Sequence, residues 1–124
     1  MSWYPAVLSK LRAARIFRKV EIVGSKIRAT IDNQRFLDIH YDSDTLSYSY
    51  AVIDESLQYP NDKRVFGWDD FPHIGDASLR KLKTWPHHFQ KRDGARWIFA
   101  ESSMRGNIEL EIDIVIEYIE QHLQ

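Results

Sequence analysis

The chain has 124 residues, 44% of them apolar, four tryptophans and no cysteine, which leaves room for one domain with a single core, residues 1–124. Without cysteine there are no disulfides, thiolate zinc sites or cysteine nucleophiles, and a reducing, cytoplasmic setting is expected. A formal net charge of −1 argues against a generic nucleic-acid binder, and no run approaches the roughly 20 apolar residues of a membrane helix.

Taken in chain order, Pro5 fits the first turn of a helix, where its missing N–H costs nothing. Val7, Leu8, Leu11 and Ala14 then mark an apolar stripe, predicting a short N-terminal helix. The opening residues lack the basic-then-apolar layout of a signal peptide. From Ile16 the period changes to two, through Val20 and Ile22, and Gly24-Ser25 turns the chain. Ile27, Ala29 and Ile31 alternate with Lys26, Arg28 and Thr30. Asp32-Asn33 turns again before Phe36, Leu37, Ile39 and Tyr41. After Asp42-Ser43-Asp44, Leu46, Tyr48, Tyr50 and Val52 give the cleanest alternation in the chain. Four strands with such short turns predict an antiparallel meander. A fifth strand is expected from about Lys63 to Asp69.

Residues 70–94 are punctuated by Pro72, Gly75, Pro86 and Gly94 and keep no period. Long irregular segments in compact domains are often functional. Arg96 to Ala100 reads as a closing strand. The last segment alternates like a strand from Ile108 to Ile116, yet Ile108, Ile112, Val115, Ile119 and Leu123 also share a helical face. Its length favours helix, with Asn107 as N-cap and Glu109, Glu111 and Asp113 near the positive dipole end. The fold class is therefore α+β: an antiparallel sheet of five or six strands, with an N-terminal and a C-terminal helix packed on one face. The segment from Asp70 to Gly94 covers one end of the sheet.

Charge is unevenly spread. Residues 1–30 carry seven Lys/Arg against one Glu, residues 31–60 one Arg against six acids, residues 61–100 eight Lys/Arg against five acids, and residues 101–124 one Arg against six acids. The blocks allow either a positive and a negative face, or signs that intermix on folding.

The stretch from Arg64 to Arg96 carries the candidate chemistry, because histidine exchanges protons near neutral pH. Two histidines flanking a phosphodiester serve as base and acid while an arginine stabilises phosphoryl charge. The base takes the 2′-hydroxyl proton and the acid protonates the 5′-oxygen, the toolkit of a metal-independent ribonuclease. His73 with His87 or His88 form that pair, Asp69 orients an imidazole, and Arg64 or Arg92 meets phosphate. The competing structural reading makes Asp69-Asp70 a turn or cap and packs one ring of His87-His88 on Trp85. A metal held by His73, His87 and His88 with Asp69 or Asp76 has suitable donors. No ligand spacing is familiar, however, and adjacent histidines in extended chain point opposite ways, so neither metal nor other cofactor is expected. For RNA contact, Arg92, Lys83 and Trp85 stand out among interleaved aromatics and cations. Trp68 and Trp97 are expected in the core, while His40 and His122 need no functional role. Phosphate-binding loops, dinucleotide fingerprints, nucleophile elbows and His-Glu-x-x-His are absent from the sequence.

Arg64-Val65-Phe66-Gly67-Trp68-Asp69-Asp70-Phe71-Pro72-His73, followed by Thr84-Trp85-Pro86-His87-His88, resembles the TumE toxin family. Its members carry Trp-Asp-Asn-x-Pro-His-His, then Phe-Pro-His-His-x-His, then an amphipathic C-terminal segment. Trp68, Asp69, Pro72 and His73 match the first element, and Pro86, His87 and His88 the second. Asp70 stands for the usual Asn, Ile74 for the second His of the first element, and Gln90 for the last His of the second. The departures at 74 and 90 remove two nitrogen donors. The resemblance implies the toxin half of a toxin–antitoxin module, partnered by a helix-turn-helix antitoxin. RNA and a homodimer complete the expected partners, and no membrane is among them. A second reading is a non-catalytic protein-binding domain that uses its sheet and the Ile108–Ile119 stripe as an interface.

Overall fold

The computed structural model describes residues 3–123; Met1, Ser2 and Gln124 lie outside the described residues. Helix α1 spans Trp3–Ala13 and is followed by β1 (Lys19–Val23), β2 (Lys26–Thr30), β3 (Arg35–Tyr41), β4 (Tyr48–Asp54) and β5 (Arg64–Asp69). Then come a one-turn helix α2 (Ala77–Arg80), β6 (His88–Asp93), β7 (Arg96–Ala100) and the helix α3 (Ile108–His122). All seven strands form one antiparallel meander in the order β1 to β7.

Among the described residues the count is therefore seven strands, not five or six, and the addition is β6. Its sequence, His-Phe-Gln-Lys-Arg-Asp, has Phe89 as its one apolar residue, so apolar alternation does not reveal it. The supposed irregular segment 70–94 contains α2 and β6 and shrinks accordingly. The first strand also begins later than its apolar pattern, at Lys19, because Phe17 turns into the core (8% exposed) rather than extending the sheet.

Strand register decides which side chains meet on each face, since alternate residues point opposite ways. Ile27 lies opposite Ile39, Ile39 opposite Tyr50, Tyr50 opposite Trp68, and Trp68 opposite Phe89. This row is the inner face. Trp3, Val7 and Leu11 of α1 and Ile108, Ile112, Val115 and Ile119 of α3 pack on it in one continuous core. Tyr118 meets Phe66, Trp68 and Phe89 edge-on or tilted, with ring centroids 4.8–5.4 Å apart, a favoured aromatic geometry. Both helices thus cover the same face, as the amphipathic stripes require. The α3 stripe is buried by the chain's own sheet, which removes it as a free interface. Asn107 occupies the N-cap position of α3, but its side chain makes no capping bond; the Glu111 carboxylate serves that end instead. Among the described residues no helix is long and apolar enough to cross a membrane.

The opposite face carries the polar partners. Asp38, 7% exposed, accepts from Arg28 at 2.8 and 3.0 Å and from Lys26 at 2.9 Å; on the helix side of the sheet, Lys10 of α1 pairs with Asp113 of α3 at 2.7 Å. At these contacts the basic and acidic blocks of the sequence intermix. Burial alone would raise the Asp38 carboxyl, but hydrogen bonds from Arg28 and Lys26, with their charges, hold it below the usual carboxylate range. A carboxyl depressed in the folded state stabilises the fold above its unfolded value, about 3.9, and loses that contribution as pH falls through its lower folded value. Asp38→Asn is expected to cost about 1–2 kcal/mol at pH 7 and to flatten the acid limb of the stability profile, as read by urea melts between pH 7 and pH 3. An acid limb identical to wild type would remove Asp38 as its source.

Candidate functional site

The outer face places a second row in register: His40 opposite Ser49, Ser49 opposite Asp69, and Asp69 opposite His88. The row runs across four strands and brings Asp69 beside His88, with His88 Nε2 3.3 Å from Asp69 Oδ1. His88 is wholly buried and Asp69 5% exposed. Its Nδ1 lies 2.9 Å from the Pro86 carbonyl and its Nε2 2.9 Å from Gln90 Oε1. A carbonyl only accepts, so Nδ1 carries the hydrogen.

The connection after β5 folds back over this row. Asp69 Oδ1 accepts the Phe71 N–H at 2.9 Å, and His73 adopts a positive φ of 43°, an uncommon conformation for a side chain of this size. That bend sets the His73 ring 5.3 Å from His88 and 6.1 Å from Phe99, centroid to centroid. His73 Nε2 is buried with no hydrogen-bond partner. Burial lowers the His73 pKa, opposed by Asp69 and reinforced by His88 and Arg64. Arg64 completes the group, 3.5 Å from Asp69 Oδ2 and 3.3 Å from Asp62 Oδ2.

Asp69, His73 and Arg64 line an open cleft of about 730 Å³, whose other walls include His40, Asp42 and Asp70. Of the residues singled out from sequence, the fold thus gathers Arg64, Asp69, His73 and His88. It sends His87 the other way: its Nδ1 lies 2.9 Å from the Tyr48 hydroxyl and its ring stacks on Tyr48, on the inner side. Burial, then the nearby Arg105, lowers the His87 pKa. Asp76 caps α2 by accepting from the Ser78 and Leu79 N–H groups, so neither belongs to a metal set. The ligand atoms that do converge are those of Asp69, His73 and His88, all within 4.8 Å of one another.

The expected RNA contacts divide in the same way. Arg92 lies between Tyr59 and Trp97, 4.2 and 4.3 Å from their ring centroids, and donates to the Arg64 and Asp62 carbonyls at 2.9 and 2.7 Å. With a side chain only 9% exposed, it braces the sheet. Trp97 is half-buried on that outer face, not in the core, whereas Trp68 is in the core (6% exposed). Lys83 is exposed, and Trp85, 40% exposed, donates its indole N–H to the Pro72 carbonyl at 3.1 Å, fixing the loop that carries His73.

Two residues of the site escape a reading by residue type: His40, exposed on the cleft wall, and Gln90, against His88. The cross-strand row is the signal that finds His40, and the two-residue step from His88 along β6 finds Gln90. The three departures from the resembling motif fall in different places. Asp70 accepts from the Ser47 hydroxyl at 2.9 Å, Ile74 is 73% exposed, and Gln90 sits inside the histidine cluster. Chemically the cluster offers one cleft-facing imidazole, a carboxylate shared with a guanidinium, and a buried imidazole behind both. A family model described as Toxin TumE matches residues 7–123 of the chain. Searches of curated proteins and of solved structures find no match.

Proposed function

From the premise that the chain belongs to the TumE toxin family, we propose that it is the toxin of a toxin–antitoxin module and that it acts by cleaving RNA at the Asp69–His73–His88 cluster. Family membership brings an antitoxin partner in general; a helix-turn-helix protein encoded beside this chain is the partner we propose. The observation that carries the RNA reading is the meeting of His73, Asp69 and Arg64 on one cleft, with His88 buried directly behind them. Arg64, its side chain 25% exposed, is the cation placed to meet a phosphodiester. The reaction is transesterification: the 2′-oxygen attacks the adjacent phosphorus, the bond to the 5′-oxygen breaks, one proton leaves the 2′-hydroxyl and one reaches the 5′-oxygen. His73 is the member of the pair that faces the cleft, and His88, without exposure, acts through Asp69 and His73.

The test incubates purified protein with total RNA, beside His73→Ala. Wild type is expected to cut, and the variant to cut at least about 100-fold more slowly, the usual scale for a group taking part in proton transfer. Equal cleavage in both samples, or none in either, would falsify the RNA-cleaving reading and leave toxin family membership intact.

A further inference from the structure

We propose that Asp69, His73 and His88 form a binding site for one divalent first-row transition ion, of which zinc is the best fit. The inference rests on the RNA-cleaving reading for the purpose of the ion, though not for its presence; with the ion bound, His73 is a ligand, and the proton transfer assigned to its free imidazole would fall to ion-bound water.

The cluster is short of hydrogen-bond donors. His73 Nε2 is buried without a partner, and leaving such a group unpaired costs on the order of 1–3 kcal/mol. His88 commits its Nδ1 hydrogen to Pro86, so in the neutral ring Nε2 presents a lone pair to Asp69 Oδ1 and Gln90 Oε1. Turning the Gln90 amide gives His88 Nε2 a donor but leaves His73 Nε2 unpaired. A hydrogen on His88 Nε2 would serve Asp69 and Gln90 but leave His73 Nε2 as it is. A cation accepts from all of them.

The surroundings have the form that metal-binding imidazoles usually show. A ligating histidine commonly donates its other N–H to a backbone carbonyl, as His88 does to Pro86. The carboxylate is also held, by the Phe71 N–H on Oδ1 and Arg64 on Oδ2. Two nitrogens and one carboxylate oxygen are a common zinc set that leaves a position open. The positive φ at His73 is the backbone distortion that delivers the third ligand, and strain of this kind gathers at ligand clamps.

Charge supplies the purpose. The cleft walls bring Asp42, Asp69 and Asp70 against the single guanidinium of Arg64, a setting that repels a phosphodiester. A dication at the Asp69 end reverses that sign locally and can polarise a phosphoryl oxygen.

The experiment uses the full chain, stripped with chelator and without RNA. It is titrated with Zn²⁺ against a chromophoric competitor, and with Co²⁺ for visible absorption. One equivalent is expected to bind, with a cobalt spectrum of nitrogen–oxygen coordination and a Tm that rises with Zn²⁺. His73→Ala, in an irregular and partly exposed segment, should keep the metal-free Tm yet bind at least about tenfold more weakly and lose the Tm rise. Gln90→His, which exchanges an amide beside His88 for a stronger donor, should bind more tightly. Equal Zn²⁺ affinity in wild type and His73→Ala, or no cobalt spectrum in wild type, overturns the site. Because binding is read without RNA, its failure is separable from a failure to cleave.

Discussion

Alanine at position 88 is expected to abolish RNA cleavage, by at least about 100-fold, while alanine at position 87 leaves it within about threefold of wild type. The two imidazoles are neighbours in sequence, but β6 begins at His88, and extended chain throws successive side chains to opposite sides. His88 goes to the outer face, against Asp69, Gln90 and the His73 ring. His87 goes inward, to a hydroxyl that also meets the Met104 carbonyl at 3.2 Å. Loss of His87 therefore removes one hydrogen bond and a stacked ring, about 1 kcal/mol of stability, and no part of the cluster. Since His88 is wholly buried, His88→Gln accompanies His88→Ala to retain volume. Initial rates are measured well below each variant's melting temperature. A folded His88→Gln that cleaves at the wild-type rate would remove the buried imidazole from the reaction, and a His87→Ala as defective as His88→Ala would defeat the division of roles.

That contrast also shows what residue patterns can and cannot convey. The stripes of α1 and α3 and the alternation of β2 were readable because each of these elements buries one face, and burial writes its period into apolar residues. Strand β6 carries its period in polar side chains: His88, Gln90 and Arg92 face one way because the outer face holds a polar cluster, not a core. The Asp93-Gly94 step, with Gly94 at φ 63°, is a hairpin signal of the kind that favours Asp-Gly, and it marks β6 where hydropathy does not. Histidine identity singled out the stretch in which the imidazoles meet, since the fold brings His73 beside His88. Which member of the 87/88 pair faces His73 depends on where β6 starts, and the part played by Gln90 depends on register; neither is written in spacing. Arg92 looked like a phosphate contact because arginine usually is one when exposed, but two aromatic rings and two carbonyls already hold it.

The largest expected loss of stability comes from a residue the sequence presents as an ordinary helix-dipole acid. Glu111 is 6% exposed. Its Oε1 accepts from the Tyr50 hydroxyl at 2.8 Å and the Gly106 N–H at 3.2 Å, and its Oε2 from the Arg105 N–H at 2.6 Å. Tyr50 has no exposed surface, and its burial together with the adjacent carboxylate raises its pKa, so the phenol stays a donor. The Arg105 guanidinium is turned to the Ser102 and Met104 carbonyls, leaving Glu111 to satisfy the backbone at the entrance to α3. Gly106, at φ 87°, packs on Leu46, and a Cβ there would strike the Leu46 carbonyl, so the chain cannot readily shift to supply other acceptors. Glu111→Ala strands two buried donors and one part-buried donor, the buried ones each costing on the order of 1–3 kcal/mol and not additively. A total near 3 kcal/mol is expected, which lowers Tm by about 10 °C in a chain of this size. Glu111→Gln keeps an acceptor oxygen and should lose less. Exposed Glu109, two positions earlier, should change by less than about 0.5 kcal/mol when replaced by alanine. Thermal melts of the three variants decide the matter: if Glu111→Ala melts within about 3 °C of wild type, the carboxylate is not what holds the start of α3 against the sheet.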